Sequence, residues 1–338
     1  MFWALVLLFP LGRFLEKTFP SPLSVFVVWT GSVYLAFMLY AFLLVLTYDL
    51  YRLLIYIIPA LSIPVSTSAK LLTVSASALL ILLVIAVGYF NARRPILTEI
   101  DIPAPVEKTY RLAFVSDVHL GTISGKKQLE RIVRHIKEAG PDLILFGGDV
   151  FDEDPGPVIQ KQTGQSLLTL KAPLGVYAVT GNHEYIGGAE SAISYMEQSG
   201  IRVLRDEWIL IDSAFILSGR EDRDKSRFTG VSRKAIGELL KELPERFPTL
   251  LVDHQPFDYH EIQSAGVFLS VSGHTHYGQL WPLNYITNLV FENSFGLIKK
   301  GNTFFYVSCG AGTWGPPVRT SSRPEVVLFT LSPDGSLQ

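Results

Sequence analysis

The sequence predicts an α/β globular domain preceded by an all-α transmembrane region. Three observations carry this prediction. Residues 1–90 hold six charged side chains (Arg13, Glu16, Lys17, Asp49, Arg52 and Lys70) and are net +2, whereas residues 91–338 are net −4. Long uncharged apolar runs are confined to the first part. In the second part short apolar strands alternate with helical spacing, and polar motifs recur directly behind the strands. The boundaries read as a transmembrane region at 1–94, a linker at 95–110 and a globular domain at 111–338.

Leu71–Phe90 is uncharged and long enough to cross ~30 Å of hydrocarbon as a helix. Leu23–Tyr48 is a second such run, with Trp29, Tyr34, Tyr40 and Tyr48 as interface anchors. Leu53–Ala69 is uncharged but broken by Pro59 and Pro64, and reads as a kinked span, a re-entrant piece or an interfacial segment. Met1–Gly12 is apolar but short. The count is therefore two to four helices. With two spans, Arg13, Lys17, Arg93 and Arg94 share one side against Arg52 and Lys70, which puts the globular domain in the cytoplasm.

A net-negative globular part argues against a nucleic-acid binder that works by charge. Cys309 is the single cysteine, so neither an intrachain disulfide nor a thiolate zinc cluster can form.

After the linker, with Pro95, Pro103 and Pro105, the elements follow in order. Arg111–Ser116 is a strand running into "SDVHLG". Lys126–Ala139 has Leu129, Ile132, Val133 and Ile136 at helical spacing. Asp142–Phe146 is a buried strand ending in "GGD", and Val158–Lys171 is compatible with a helix. Gly175–Val179 is a strand ending in "TGNHE", followed by a helix at Gly188–Gly200. Trp208–Ile211 and Phe215–Leu217 form an antiparallel pair, and Val231–Leu243 a helix. Thr249–Val252 is a strand ending in "DHQP", His260–Ala265 a helix, and Val267–Val271 the strand before "SGHTHYGQ". Thr303–Val307 and Val326–Leu331 close the series.

In open α/β sheets, ligands bind at the carboxyl ends of strands. The residues gathered there are Asp117, His119, Asp149, Asn182, His183, His254, His274 and His276. Singly each has a plain alternative: Asp149 a helix N-cap, Asn182 a turn residue, His254 a core histidine. Together they form five motifs behind five strands and hold five of the seven histidines. His135 and His260, outside the motifs, read as solvated helix faces. Oxygen and imidazole donors without sulfur suit Mn, Fe, Zn or Mg. Seven ligands exceed the needs of one ion and suit two, held ~3.5–4 Å apart with a shared carboxylate. "GTISGK" at 121–126 lacks the spacing of a phosphate-binding loop.

The ordered series Asp-x-His, Gly-Asp, Gly-Asn-His-Glu, His and Gly-His-Thr-His resembles the calcineurin-like metallophosphoesterases, from about Arg111 to Leu331. "GREDR" at 219–223, "GHTHYGQLWP" and "YVSCGAGTWGPPVR" at 306–319 are similar to membrane-anchored bacterial members. The resemblance implies a four-layer αββα sandwich of two mixed sheets, in a multi-pass protein of the bacterial inner membrane. It implies that Asp117, His119 and His276 hold a first metal, that Asp149 bridges, and that Asn182, His254 and His274 complete a second. His183 would be the catalytic histidine. Glu184 stands where many relatives have Asp, and either carboxylate could orient that imidazole. Arg319 is a candidate phosphate contact and Tyr277 a candidate for the pocket mouth.

The implied activity is hydrolysis of a phosphodiester, phosphomonoester or diphosphate bond by a dimetal-activated water, with His183 as proton donor. Adjacent membrane spans favour a lipid-linked phosphate or a nucleotide-diphospho-lipid. Some membrane-tethered relatives cleave UDP-diacylglucosamine, and a cell-wall precursor or a general phosphodiester competes with it. The alternative is a non-catalytic membrane scaffold or sensor with a phosphoesterase-like domain. Relatives of that kind usually lack several ligands, whereas here every position is filled.

Overall fold

The computed structural model describes residues 2–62, 64–244 and 246–334, which divide into two compact units. The first comprises Met1–Asn91 with Gly315–Thr320, and the second Ala92–Trp314 with Ser321–Gln338.

In the first unit, Pro22–Ile57 is one 36-residue helix and Thr67–Ala92 a 26-residue helix, both long and apolar enough to cross a membrane. Ser21 caps the first, accepting the Ser24 backbone N–H at 3.2 Å. Leu72, Val74, Leu80 and Leu82 spread over more than half the circumference of the second helix and all are exposed, unlike the side chains of a soluble core helix. Leu53–Ala69 is no separate span: its start completes the long helix, Pro59–Leu61 is a 3-10 turn, and Thr67 opens the next helix. Met1–Gly12 falls in two short helices, Phe2–Val6 and Leu8–Thr18, with Met1 outside the described residues. Within the same unit the Arg319 N–H donates to the Gly88 carbonyl at 2.9 Å.

The second unit carries two six-stranded mixed sheets. The strands are β1 Ile96–Ala104, β2 Tyr110–Val115, β3 Leu143–Phe146, β4 Val176–Ala178, β5 Arg202–Val203 and β6 Glu207–Ile211. They continue with β7 Phe215–Gly219, β8 Thr249–Val252, β9 Leu269–Ser272, β10 Gly296–Lys300, β11 Thr303–Val307 and β12 Glu325–Pro333. One sheet runs β1-β12-β2-β3-β4-β5 and the other β10-β11-β9-β8-β7-β6. Leu112, Phe114, Phe329 and Leu331 of the first pack against Phe215, Leu217, Leu250 and Tyr306 of the second. Aromatic edges close this central core, with Tyr110 on Phe215 and Tyr306 on Phe329 both at 5.2 Å. Helices Lys126–Ala139 and Ala189–Gln198 cover the outer face of the first sheet, and Ile236–Leu239 and Tyr259–Ser264 that of the second. The order of layers is thus helix, sheet, sheet, helix. Four-residue strands such as "LILF" and "TLLV" are buried on both faces, as internal parallel strands must be.

Several local expectations are corrected. Residues 95–110 are not simply a linker, because Ile96–Ala104 pairs in parallel with β12 along its whole length. Pro103 is tolerated because β1 is an edge strand, and the exposed Glu99 and Asp101 guard that edge. Val158–Lys171 is not one helix but two short turns, Gly156–Gln160 and Gln165–Thr169, divided near Gly164. Of Val231–Leu243 only Ile236–Leu239 is helical, because side chains hold the preceding backbone. The Lys234 N–H donates to Asp206 Oδ2 at 3.0 Å, and Arg233 reaches Asp253 Oδ1 at 2.8 Å.

The helix Leu283–Val290 reverses the usual surface pattern. Asn284, Thr287 and Asn288 engage in local hydrogen bonds, while Tyr285, Ile286, Leu289 and Val290 lie exposed. Such side chains are worth roughly 1.5–3 kcal/mol each when buried, a gain this helix forgoes in isolation.

Candidate metal centre

Five loops leave the carboxyl ends of β2, β3, β4, β8 and β9, three strands from one sheet and two from the other. Asp117 and His119 follow β2, Asp149 follows β3, and Asn182 and His183 open the helix Asn182–Gly187 after β4. His254 follows β8, and His274 and His276 follow β9. The structure brings all eight together, and all but Asn182 and His274 are nearly inaccessible.

Two clusters meet around Asp149. In the first, His119 Nε2 and His276 Nε2 are 3.0 Å apart, and Asp117 Oδ1 is 3.9 Å and 3.4 Å from them. In the second, Asn182 Oδ1 lies 3.2 Å from His254 Nε2 and 3.0 Å from His274 Nδ1. Asp149 Oδ2 stands between the two, 3.7 Å from His119 Nε2 and 3.2 Å from His254 Nε2.

The tautomer of His254 follows from its surroundings. Its Nδ1 is 2.8 Å from the Gly147 carbonyl, which can only accept, so Nδ1 carries the proton. Its Nε2 is turned towards Asp149 and Asn182, and on losing its proton to a cation it would offer a lone pair there, the arrangement of a metal-ligating imidazole steadied by a carbonyl. Carboxylate, amide and imidazole atoms crowded at these distances fit divalent cations of the Mn, Fe, Zn or Mg type.

Backbone strain holds these atoms in place. Asp117, His119, Asp149, His274, His276 and Tyr277 all have φ between +47° and +70°. Hydrogen bonds across motifs offset it. The His274 N–H donates to Asp117 Oδ2 at 3.0 Å, and the His183 N–H to Asp149 Oδ1 at 2.8 Å. The Asp117 and His119 N–H groups donate to the carbonyls of Gly148 and Asp149. Gly148 has φ +88°, and a Cβ there would stand 2.7 Å from His254 Nδ1. A Cβ on Gly273 would overlap Ser116 Oγ and Asp117 Oδ2.

Glu184 does not face the His183 ring. Its carboxylate accepts the N–H groups of Asp149 (2.9 Å), Gly181 (2.7 Å) and Phe151 (3.0 Å), locking two motif loops together. Burial, and then the Asp149 carboxylate, push Glu184 up to about 7. The carboxylate nearest the His183 ring is Asp152, whose Oδ1 is 3.7 Å from His183 Nδ1 and 3.8 Å from His119 Nδ1. Sequence reasoning missed Asp152, which stands in the acidic run "DED". The one available signal was its place three residues behind Asp149. Arg220 and Arg233 were also missed. Both reach Asp253 and Asp258, so they clamp the chain on either side of His254.

The electrostatics divide the imidazoles. Burial holds His119 well below its ordinary range and takes His274 down to about 4. Burial opposes the charge on His254 too, yet the facing Asp149 carboxylate lifts it well above its ordinary value. Burial would raise Asp149 in turn, but His254 and then His183 hold it well below the usual carboxylate range.

Around the polar centre stands an aromatic rim. Trp314 meets the His183 ring edge-on at 6.1 Å, and Phe291 meets His274 at 6.0 Å. Tyr277 packs on Phe295 at 5.0 Å. Arg319 lies in the Gly315–Thr320 segment of the first unit, with its side chain fully buried.

Known proteins share this pattern. Residues 110–278 match the family model described as calcineurin-like phosphoesterase. An uncharacterized metallophosphoesterase of Aquifex aeolicus is 33% identical over 223 residues, 65% of this chain and 84% of the relative. One of Helicobacter pylori is 32% identical over 251 residues, 72% of this chain and 66% of the relative. A transmembrane protein with metallophosphoesterase domain from Danio rerio is 31% identical over 273 residues, 75% of this chain and 62% of the relative. The chain thus spans somewhat less than two thirds of the last two. The two half-centres joined at Asp149 and the match across their motifs lead to one conclusion: the chain belongs to the calcineurin-like phosphoesterase family.

Proposed function

We propose that the chain is a membrane-anchored, dimetal-dependent phosphoesterase acting on a phosphodiester, phosphomonoester or diphosphate bond. The observation that carries the proposal is the position of Asp149, one carboxylate oxygen facing two separate clusters of ligand atoms. Asp117, His119 and His276 would hold one cation and Asn182, His254 and His274 the other, with Asp149 shared. When bound, the cations supply Lewis acidity towards a phosphoryl oxygen and acidify water at neutral pH.

The chain's own groups do the rest. Asp149 Oδ1 accepts the His183 N–H and so ties the proton donor to the shared carboxylate. Asp152 Oδ1 faces His183 Nδ1, which favours a proton there and leaves His183 Nε2 to give its proton to the leaving oxygen. Trp314, against the His183 ring, limits water beside that imidazole.

Anchoring by Pro22–Ile57 and Thr67–Ala92 is part of the proposal, with the globular unit on the cytoplasmic side of a bacterial inner membrane. Arg13, Lys17, Arg93 and Arg94 on that side support the orientation. A lipid-linked phosphate or diphosphate fits an anchored site. The test is an activity panel on detergent-purified protein with Mn. It compares phosphomonoesters, phosphodiesters and nucleotide-diphospho-lipids, with metal content measured alongside. Two ions per chain and turnover of at least one class are expected. A chain that binds neither ion and turns over nothing is a scaffold.

A further inference from the structure

We propose that Trp281–Leu297 is a lipid-docking element, which seats the rim of the metal centre on the surface of the bilayer. The inference rests on the proposed anchoring, which keeps the globular unit near a membrane.

The helix Leu283–Val290 presents an apolar face outward. Tyr285, Ile286, Leu289 and Val290, at i, i+1, i+4 and i+5, make one continuous outward stripe, with Leu289 87% exposed. Trp281, Phe295 and Leu297 are exposed on the flanking segments. Among the polar residues of the helix, Thr287 Oγ1 donates to the Asn284 carbonyl and Asn288 Oδ1 accepts from Ser294 Oγ. An apolar stripe with aromatic ends is the composition of an interfacial helix.

Charge is distributed unevenly along the globular unit. Residues 91–265 carry net −5, but residues 266–314 and 321–324 of the same unit carry net +2, with Lys299, Lys300 and Arg323 against Glu292. No charged residue occurs between Gly266 and Phe291. Lys299 and Arg323 are exposed. A neutral apolar stripe bordered by cations complements anionic headgroups over an acyl layer, whereas the acidic remainder of the unit would be repelled.

Thr275 Oγ1, between the two ligand histidines, donates to the Ser294 carbonyl at 2.7 Å. Phe291 touches the His274 ring and Phe295 the Tyr277 ring. Seating the stripe in the headgroup region brings the metal loop to the depth at which the phosphate of a lipid substrate lies.

The test uses the full chain in nanodiscs of phosphatidylethanolamine and phosphatidylglycerol, one chain per disc. Cys309→Ala removes the native thiol. An environment-sensitive fluorophore is attached at Leu289→Cys or, as control, at Phe228→Cys, another exposed site on the same unit. A quencher carried on the upper acyl chain lies within the ~5–10 Å depth of an interfacial helix. The expected result is a blue shift and at least about a halving of emission at 289, with no change at 228. Equal, unquenched emission at both positions overturns the proposal. So does a blue-shifted but unquenched label at 289, which would mean that protein covers the stripe.

Mn-dependent hydrolysis of a soluble aryl phosphodiester by each labelled variant reports folding and tests the phosphoesterase reading separately. Quenching at 289 without any hydrolysis supports docking and refutes the enzyme alone. Release of the chain from vesicles by alkaline carbonate, with quenching intact, refutes anchoring alone. A paired Ile286→Glu, Leu289→Glu variant should abolish quenching of a fluorophore at Tyr285→Cys while leaving soluble-ester turnover unchanged.

Discussion

Asp149→Asn is the most direct challenge to a shared carboxylate. Asp149 Oδ1 accepts the His183 N–H at 2.8 Å, so the amide of the variant must keep its oxygen there. Its NH2 group is then forced into the Oδ2 position, 3.2 Å from His254 Nε2 and 3.7 Å from His119 Nε2. Because the Gly147 carbonyl holds the proton on His254 Nδ1, the amide donates into the lone pair that His254 would offer a cation. One substitution removes a negative charge and occupies a ligand atom in the second cluster, while crowding one in the first. Losing one partner of a buried charged pair costs ~3–5 kcal/mol. At 1.4 kcal/mol per decade, cation affinity should fall by about two to three and a half orders of magnitude.

The assay is metal content after dialysis against micromolar Mn, with turnover of a soluble aryl phosphodiester across an Mn titration. Both cations should be depleted together, and turnover should be lost even where excess Mn restores partial occupancy. Wild-type turnover with two ions bound would refute the shared-carboxylate geometry. Loss of a single ion would leave the two clusters independent, which also contradicts it.

Four further outcomes are expected. Gly273→Ala drives a methyl into Ser116 Oγ and Asp117 Oδ2, so roughly 1–3 kcal/mol of overpacking should appear as a lowered unfolding midpoint and weakened binding of one ion; an unchanged metal titration would contradict the close approach. His183→Ala should keep both ions yet slow esters with poor leaving groups far more than activated ones, and equal slowing would exclude proton donation by this imidazole. Asp152→Asn, with metal retained, should shift the pH–rate profile and mimic His183→Ala by about 10²–10⁴-fold for poor leaving groups; no change in the profile would free Asp152 from that role. Finally, burial opposes a charge on His254 but the Asp149 carboxylate raises it well above its ordinary value, whereas burial takes His119 well below its own and His274 down to about 4. Loading the centre should therefore release a proton from His254, and affinity should rise with pH near neutrality. Calorimetry in buffers of different ionisation enthalpy measures that release, and a value near zero would show that His254 is neutral before binding.

The alternation of strands and polar motifs was legible because it is local. A strand buried on both faces must be apolar along its length, and its exit loop is where polar atoms first become possible. "LILF" before "GGD" and "TLLV" before "DHQP" therefore mark both a strand and its exit. What escaped depended on partners far away in sequence. Ile96–Ala104 looked like a linker because its prolines are visible and its partner, β12, lies more than two hundred residues later. Asp152 stands in the acidic run "DED", and only the fold places its carboxylate between two imidazoles. The apolar stripe of Leu283–Val290 escaped because its outward direction reverses the rule by which apolar periodicity is read as core.

Glu184 shows most clearly why residue type alone did not suffice. From the sequence, a carboxylate beside His183 looks like the partner of that imidazole. In the structure it accepts three backbone N–H groups from two loops and never meets the ring. The strained conformations at Asp117, His119, Asp149, His274 and His276 explain the need. Each costs free energy of about 1–3 kcal/mol, and several such residues persist together only if the surrounding bonds over-determine them. Asp117, Asp149 and Glu184 each accept a backbone N–H from another motif or loop, so the loops are braced against one another by their own carboxylates. The same acidic groups thus serve two purposes, holding a strained backbone and presenting oxygen atoms to cations. That double demand accords with the short motifs, because the carboxylate that presents an oxygen to a cation also reaches a backbone N–H of the next loop.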